Sequence, residues 1–543
     1  MKKILLFLIF NLILLSSINS QYSTFSKFYN IFNGNEDTFR FLMSENRYFL
    51  CSMGICDPDS AYSPLGASFF VLDNEPNIVS MPIYKDKFKY APSHPIHLMN
   101  DTIYIFANDE DVKPPEWVII KTNFDGDSLG LFSANYFNGV NFTATGMAIT
   151  DEYLYLAGRS VKWIEGISGG DDIVVLKIDK QGNAIKENRF HDILDSTKIN
   201  SELDFIKTAD GNFISDATYL EKDNVYPFYN EGRHLKLIKM DEELNVIWVK
   251  EFANTTYPTN YPDLIPTRDS GNVLLWCLRL TDAKILEEIG EDFARKHGVT
   301  PATIHKLDKD GNLEWSDTLW TPMPANSNNG PVWNFHEGME CANGDIVIVG
   351  DYRDFQGKYT NSAIIRFNSK GKLLWQKMYE DDDLLAVWSS FWSVEEADNG
   401  DIVVAGQFFN KNGKWNDEIY TWFVRLDSLG CQEPGCGVLD TLQLIKLKSD
   451  YVHITATDEV LYDNSKSEEV GIYPNPSEDM INISVPEGFE AEEIEVFDVL
   501  GNKLMKIQSD TRELDIKYFK SGLYFIIVSD KSGKFVTGKF VKG

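Results

Sequence analysis

The stretch that decides the fold is HKLDKDGNLEWSDTL, His305 to Leu319. A strand-like run ends at Asp308, a turn of the form Asp-x-x-Gly-Asn follows, and a second strand-like run begins at Leu313. Reading outward, the same pattern returns in both directions. It reads VLDNEPNIVSMPIY from Val71, KTNFDGDSLG from Lys121, LKIDKQGNAIKENRF from Leu176 and IKMDEELNVIWVKEF from Ile238. Beyond the starting stretch it reads IRFNSKGKLLWQKMY from Ile365 and VRLDSLGCQEPGC from Val424. The anchoring residues are Asp73, Asn123, Asp179, Asp241, Asp308, Asn368 and Asp427, spaced by about 50 to 67 positions.

A second motif precedes each turn. TDEYLYLAG, ANGDIVIVG and DNGDIVVAG are typical: a polar turn, a β-rich strand and often a closing glycine. Each unit therefore holds about four short strands. One such sheet buries little by itself, whereas sheets arranged radially bury a continuous core between neighbours. The expectation is an all-β chain with a seven-bladed β-propeller over residues 21–436; a pair of β-sandwiches is the alternative. The units resemble the degenerate Asp-x-x-Gly-Asn-x-x-Trp repeats of secreted bacterial propellers, with Trp315 and Trp375 in the tryptophan place. That resemblance implies a fold and no activity. One insertion, Thr281 to Thr300, spaces Ile285, Leu286, Ile289 and Phe293 as an amphipathic helix would.

The opening MKKILLFLIFNLILLSSINSQ has the layout of a secretory signal peptide over residues 1–20: Lys2 and Lys3, an apolar run from Ile4 to Leu15, then small polar residues. No later run is long and apolar enough for a spanning helix, so no membrane span is expected in the mature chain. The formal net charge of −31 repels phosphate backbones and argues against nucleic acid as a partner. Of six cysteines, Cys51 with Cys56 and Cys431 with Cys436 are close neighbours, and in an exported chain two local disulfides are expected. A Cys-x4-Cys spacing also admits metal, but no histidine or second pair sits at zinc-finger distance.

After a linker at 437–468, residues 469–543 alternate apolar and polar positions in INISV, EIEVFDV and LYFIIV, the pattern of a small antiparallel β-sandwich. Tyr473-Pro474-Asn475-Pro476 opens this segment, Val496-Phe497-Asp498 with Leu500-Gly501 lies in its middle, and Ser521-Gly522-Leu523-Tyr524 stands near its end, with Lys539 close behind. These spaced motifs resemble the C-terminal sorting domain of the type IX (Por) secretion system of Bacteroidetes. The resemblance implies a secreted or outer-surface protein whose partners include the outer-membrane translocon and a sortase.

Chemistry is harder to find. Gly-x-Ser-x-Gly and His-Glu-x-x-His are both absent. Asp125-x-Asp127 and Asp308-x-Asp310 open like calcium loops but lack the downstream ligands of an EF-hand, so no cofactor is expected unless calcium binds there. The innermost strand of each propeller blade lines the central channel. Counting back equally from each turn puts His94, Thr145, Asp204, Asp263 (with one residue of slack), Glu337 and Ser393 at one level, with His336 beside Glu337. Such a ring can bind a cation or a polar ligand, or simply line a wet pore. Trp388, Phe391 and Trp392 precede the last inner strand, and Trp320, Trp333 and Phe335 flank the one before. Aromatic faces of this kind stack on sugars, anchor peptides, or pack between blades. Two functions stay open: a binding or adhesion module for glycan or protein, and a hydrolase or lyase at the channel mouth through His94, Asp204, Asp263 and Glu337.

Overall fold

Each repeated turn is built the same way. In the computed structural model, one side-chain oxygen of the anchor accepts the N–H groups two and four residues on. The distances are 2.9 and 2.8 Å at Asp73, Asn123, Asp179, Asp241, Asp308 and Asp427, and 3.0 and 2.9 Å at Asn368. Aspartate and asparagine fit because a short side chain reaches its own backbone at this range. Glycine fills the fourth place with positive φ at Gly311 (75°), Gly371 (78°) and Gly430 (73°). The structure describes residues 24–542 apart from short breaks and the longer stretches 56–64, 85–95, 191–203, 221–232, 280–301, 320–331 and 454–469. The expected signal peptide, Cys56, His94, Trp320 and the expected helix at 281–300 lie outside the described residues. Among those described, all regular structure is β-strand.

The strands form antiparallel meanders in chain order. The first sheet runs Glu36–Ser44, Arg47–Ile55, Leu65–Leu72, Ile78–Ser80. The second runs His97–Met99, Thr102–Asp109, Glu116–Thr122, Ser128–Ser133, and the third Asn141–Ile149, Tyr153–Val161, Asp172–Asp179, Ala184–Arg189. The fourth runs Phe205–Lys207, Phe213–Leu220, Arg233–Met240, Val246–Phe252, and the fifth Asp263–Pro266, Asn272–Arg279, Ala302–Leu307, Leu313–Leu319. A larger sheet follows in two halves, joined where Thr360 lies opposite Trp388. Its sixth-unit half runs Val332–Glu340, Ile346–Arg353, Thr360–Phe367, Leu373–Asp381. Its seventh-unit half runs Ala386–Glu396, Ile402–Asn410, Glu418–Leu426 and then Phe25–Asn30, so the N-terminal strand completes the last repeat.

Core side chains lie between one sheet and the next. Phe49 and Ile103 join the first and second sheets, Tyr104 and Leu154 the second and third, and Tyr155 and Phe213 the third and fourth. Ile214 and Leu274 join the fourth and fifth, Ile265 and Ile348 the fifth and sixth, and Val347 and Trp422 the sixth and seventh. Leu50, Phe70, Val403 and Phe423 join the seventh half to the first sheet. The second strand of a unit therefore buries both faces. Alternate residues point opposite ways, so Ile346 and Ile348 enter one core while Val347 and Val349 enter the next. This is why IVIVG and IVVAG read as continuous apolar runs. Each large side chain so buried contributes about 1.5–3 kcal/mol.

Two further devices tie a unit to its successor. A cation two places before the anchor crosses to the next turn: Lys177 Nζ reaches Glu243 Oε1 at 2.6 Å, Lys239 Nζ reaches the Lys309 carbonyl at 3.1 Å, and Arg366 Nη1 reaches the Ser428 carbonyl at 2.6 Å. The tryptophan after the turn covers the glycine of the next turn. Trp248 lies over Gly311, Trp315 over Gly371 and Trp375 over Gly430; a β-carbon would lie 2.5 Å from Trp315 at Gly371, 2.8 Å from Trp375 at Gly430 and 3.1 Å from Trp248 at Gly311.

Two expectations are corrected. Residues 437–468 were expected to be a linker, but Gln443–Leu447 pairs in parallel with Leu373–Asp381, and Asp450–His453 pairs in parallel with Phe25–Asn30. The outermost strands of the sixth and seventh units offer unpaired edges, and this segment covers them. The first compact unit runs to Leu461. A Cys51–Cys56 disulfide was also expected, but Cys51 is a free, buried thiol packed with Phe49, Phe69 and Ile103. Its strand stays extended to Ile55. Four residues of strand span about 13 Å, and a disulfide needs α-carbons within about 7 Å. Cys431 and Cys436, in a tight turn with α-carbons 5.7 Å apart, are bonded.

The second compact unit begins at Tyr462. A three-stranded sheet (Gly471–Tyr473, Met480–Ser484, Glu513–Asp515) and a four-stranded sheet (Lys503–Gln508, Glu493–Asp498, Gly522–Ser529, Phe535–Lys542) share a core that includes Ile481, Val496, Ile526 and Phe540. Asn475 ties the start of this unit to its last strand: its amide donates to the Lys539 carbonyl at 3.1 Å and its oxygen accepts the Val541 N–H at 2.9 Å. Tyr524 is buried, stacked on Phe540, and donates its hydroxyl to the Lys520 carbonyl at 2.6 Å. Tyr473 is exposed; Pro476 and Gly501 lie outside the described residues.

Candidate functional site

The first strands of the units carry the polar residues singled out in the sequence. Most of these residues bond across to the first strand of the following unit. Asp204 Oδ2 accepts the Leu264 N–H at 2.8 Å, and Glu337 Oε2 accepts the Val394 N–H at 2.9 Å. Ser393 Oγ accepts the Phe41 N–H at 3.4 Å. His97 Nε2 bonds the Met147 carbonyl at 2.8 Å, and burial pushes its pKa down to about 4, so the ring is neutral near pH 7. Asp204, Glu337 and Ser393 each fasten a neighbouring strand.

One residue at that level was not anticipated. Arg40 lies opposite Cys51 as Glu337 lies opposite Val349, each just past a bulge. Its Nε stands 3.8 Å from Glu337 Oε1, and its Nη1 donates to the Trp392 carbonyl. The bulges themselves gather the rest. His336 is the extra residue between Phe335 and Glu337, and Trp392 the extra residue between Phe391 and Ser393. The two rings stack, with centroids 3.8 Å apart. Asp351, on the neighbouring strand and buried, accepts His336 Nε2 at 3.0 Å, Ser390 Oγ at 3.0 Å and Asn334 Nδ2 at 2.9 Å. Serine, histidine and aspartate thus meet, but the serine hydroxyl bonds the carboxylate and not the imidazole, unlike a nucleophile–base pair. Gly350 and Gly406 face the bulges, where a β-carbon would lie 1.9 Å from the Asn334 and Ser390 carbonyl oxygens.

Two carboxyl groups have their pKa raised above the usual carboxylate range. Asp216 is fully buried and accepts the Asp204 N–H; burial, then the charges of Asp204 and Asp263, hold its carboxyl well above the ordinary value. Burial, then the Glu337 charge, pushes Glu395 up to about 8. Neither was anticipated, because each depends on a carboxylate from another strand. Of the aromatic residues, Trp333, Phe335 and Phe391 are buried in the cores. Trp388 and Trp392 are half-buried, Trp388 edge-on to Phe409. The structure therefore gathers Glu337, His336 and Trp392 with Arg40, and sets Asp204 and Asp263 around Asp216 as a second acidic group. The Asp308 and Asn123 oxygens of the loops considered for calcium hold turn N–H groups.

Residues 471–543 match the family described as the secretion system C-terminal sorting domain. This segment is a type IX sorting domain. A tail of this kind marks a secreted, outer-surface protein and implies interaction with the type IX secretion machinery. Among the described residues, no helix is long and apolar enough to cross a membrane. Comparison with curated proteins finds no match. Solved structures similar to the chain include PorZ, a surface component of the type-IX secretion system of Porphyromonas gingivalis. It is 12% identical, with 95% of this chain and 70% of that chain covered, at a TM-score of 0.34. The polysaccharide lyase Uly1 is 9% identical, with 74% and 91% covered, at 0.41. The Pyrococcus horikoshii acylaminoacyl peptidase is 10% identical, with 84% and 59% covered, at 0.39.

Proposed function

We propose that the chain is type IX cargo whose first unit is a seven-bladed β-propeller acting outside the cell as a binding module for glycan or protein. The blade count is supported by seven equal turns, by cores that join each unit to the next, and by the core that joins the seventh half back to the first sheet. The binding reading is carried by one observation: Asp204, Glu337, Ser393 and His97 spend their polar atoms between neighbouring inner strands. What remains for a ligand is the half-buried aromatic pair at the bulges, Trp392 with His336, and the half-buried Trp388 four residues before Trp392 on the same strand.

The test is a glycan and peptide array with the mature chain, with and without EDTA. Binding is expected that survives Glu337→Gln, which keeps the acceptor oxygen, and that falls at least tenfold in Trp392→Ala. Trp392→Phe, which keeps an aromatic face, retains most of it. An empty array, or equal binding by wild type and both tryptophan variants, overturns the reading. One feature favours the alternative, a hydrolase or lyase: burial and the neighbouring Glu337 push the Glu395 pKa up to about 8, and acid–base catalysis uses a carboxyl group raised in this way. Turnover of an array ligand, abolished by Glu395→Gln, would decide for it.

A further inference from the structure

The last repeated turn carries a cysteine in the fifth place, where the Asn123 and Asn368 turns carry Asp127 and Lys372. Four turns carry asparagine in the fifth place, and its amide closes on the anchor's second oxygen: Asn77, Asn183, Asn245 and Asn312, at 2.9–3.2 Å. The last turn has Cys431 there. Its N–H still meets Asp427 Oδ1 at 2.8 Å, but its sulfur is bonded to Cys436.

The next residue, Gln432, touches both strands that close the unit. Its carbonyl accepts the Thr24 hydroxyl, one residue before the strand Phe25–Asn30. Its side chain donates to the Lys448 carbonyl at 2.7 Å and accepts the Lys448 N–H at 2.8 Å, two residues before Asp450–His453. Those strands lie side by side, and the hydroxyls of Ser26 and Ser449 are 2.7 Å apart. Beneath the turn, the buried Lys377 ammonium donates to the Leu429 carbonyl at 2.6 Å and faces both sulfurs, at 3.4 and 3.2 Å.

We propose that the Cys431–Cys436 bridge is a redox latch on the N-terminal strand. Oxidised, it fixes Gln432, and Gln432 holds Phe25–Asn30 against the edge of Glu418–Leu426 and Asp450–His453 against Phe25–Asn30. Reduced, the turn keeps its Asp427 bonds but the segment after it is free to swing, and the two strands open together ahead of the remaining sheets. Bridges form outside the reducing cytoplasm, so latching waits for export. The two thiols pass two electrons and two protons to an external disulfide, which leaves as two thiols. Lys377 assists, because a cation beside the thiols favours the reactive thiolate.

Hydrogen exchange of the full mature chain, with and without dithiothreitol, tests this. Closing so short a loop constrains the open state roughly ten- to fortyfold. Protection of residues 24–30 and 448–453 should fall by about that factor on reduction, with Thr102–Asp109 and Ile214–Leu220 unchanged. Protection that is equal in both conditions, or that falls by one factor in every strand, overturns the latch. The double variant Cys431→Asn, Cys436→Ser supplies the amide closure of the four asparagine turns without a bridge. It should exchange like the reduced wild type and ignore dithiothreitol. If it exchanges like the oxidised wild type, the bridge is not the latch.

Discussion

The contact of each tryptophan with the next turn's glycine can be weighed directly. At Gly371, φ is +78°, and a β-carbon would lie 2.5 and 2.6 Å from Trp315 Cε3 and Cδ2. Gly371→Ala therefore meets two penalties. The left-handed backbone costs an L-residue about 1–2 kcal/mol, and forcing a methyl into a packed ring adds about 1–3 kcal/mol. Gly400 separates them: its φ is +84°, and a β-carbon there meets nothing within 4 Å. Gly400→Ala should then show the backbone penalty alone. Urea unfolding of the mature chain, followed by far-ultraviolet circular dichroism, should place Gly371→Ala about 1–3 kcal/mol below Gly400→Ala. In a Trp315→Ala background the excess should vanish, because the collision partner is gone. Equal losses at Gly371 and Gly400, or an excess that persists without Trp315, would refute the contact as a tie between units.

Three further outcomes follow. Glu395 has its pKa raised to about 8 by burial and by Glu337, from an ordinary value of 4.5; between those values the folded chain holds a proton that the unfolded chain releases, so stability falls as pH rises through that window. Glu395→Gln removes this loss, and its urea midpoint should gain on wild type between about pH 5 and about pH 8; a constant difference would contradict the buried pairing. A chain ended at Leu461 should unfold at the same midpoint as the first unit of the full protein, whereas one ended at Cys436 loses Gln443–Leu447 and Asp450–His453 and should unfold at lower urea. Asn475→Ala removes two bonds to the last strand of the tail and should lower the tail's stability by about 1–2 kcal/mol, seen as early loss of exchange protection at Phe535–Lys542.

What could be read from sequence was whatever closes within a few residues. The seven anchors were legible because an aspartate or asparagine oxygen bonds N–H groups two and four places on, and the Cys431–Cys436 bridge because one such turn folds its ends together. The tail was legible because its motifs carry its own hydrogen bonds, as Asn475 does. What was missed closes at long range. Glu337 meets its partner 57 residues away and Asp204 meets its partner 60 away, so spacing placed both on an inner strand without saying what either holds. Arg40 was hidden by the bulge before it, which shifts the count by one; aligning strands on the residue opposite would have set it level with Glu337. Cys51 misled because five residues span a turn or a strand equally well in sequence, and only the core beyond it chooses the strand.

The first strands of the units are fastened to one another by such long-range bonds. A residue chosen for a ligand should leave its polar atoms open to one, and Asp204 and Glu337 instead satisfy N–H groups that would otherwise be left unpaired on the next strand. Removing either carboxylate therefore tests folding before it tests binding. Trp392 and His336 differ, because each is the surplus residue of a bulge and lies outside the ladder that holds the sheet together. A side chain that the ladder does not need can change with the ligand while the sheets stay intact. Variation between surface proteins built on this scaffold is thus expected at the bulges, and the fastening level one residue further along should stay fixed.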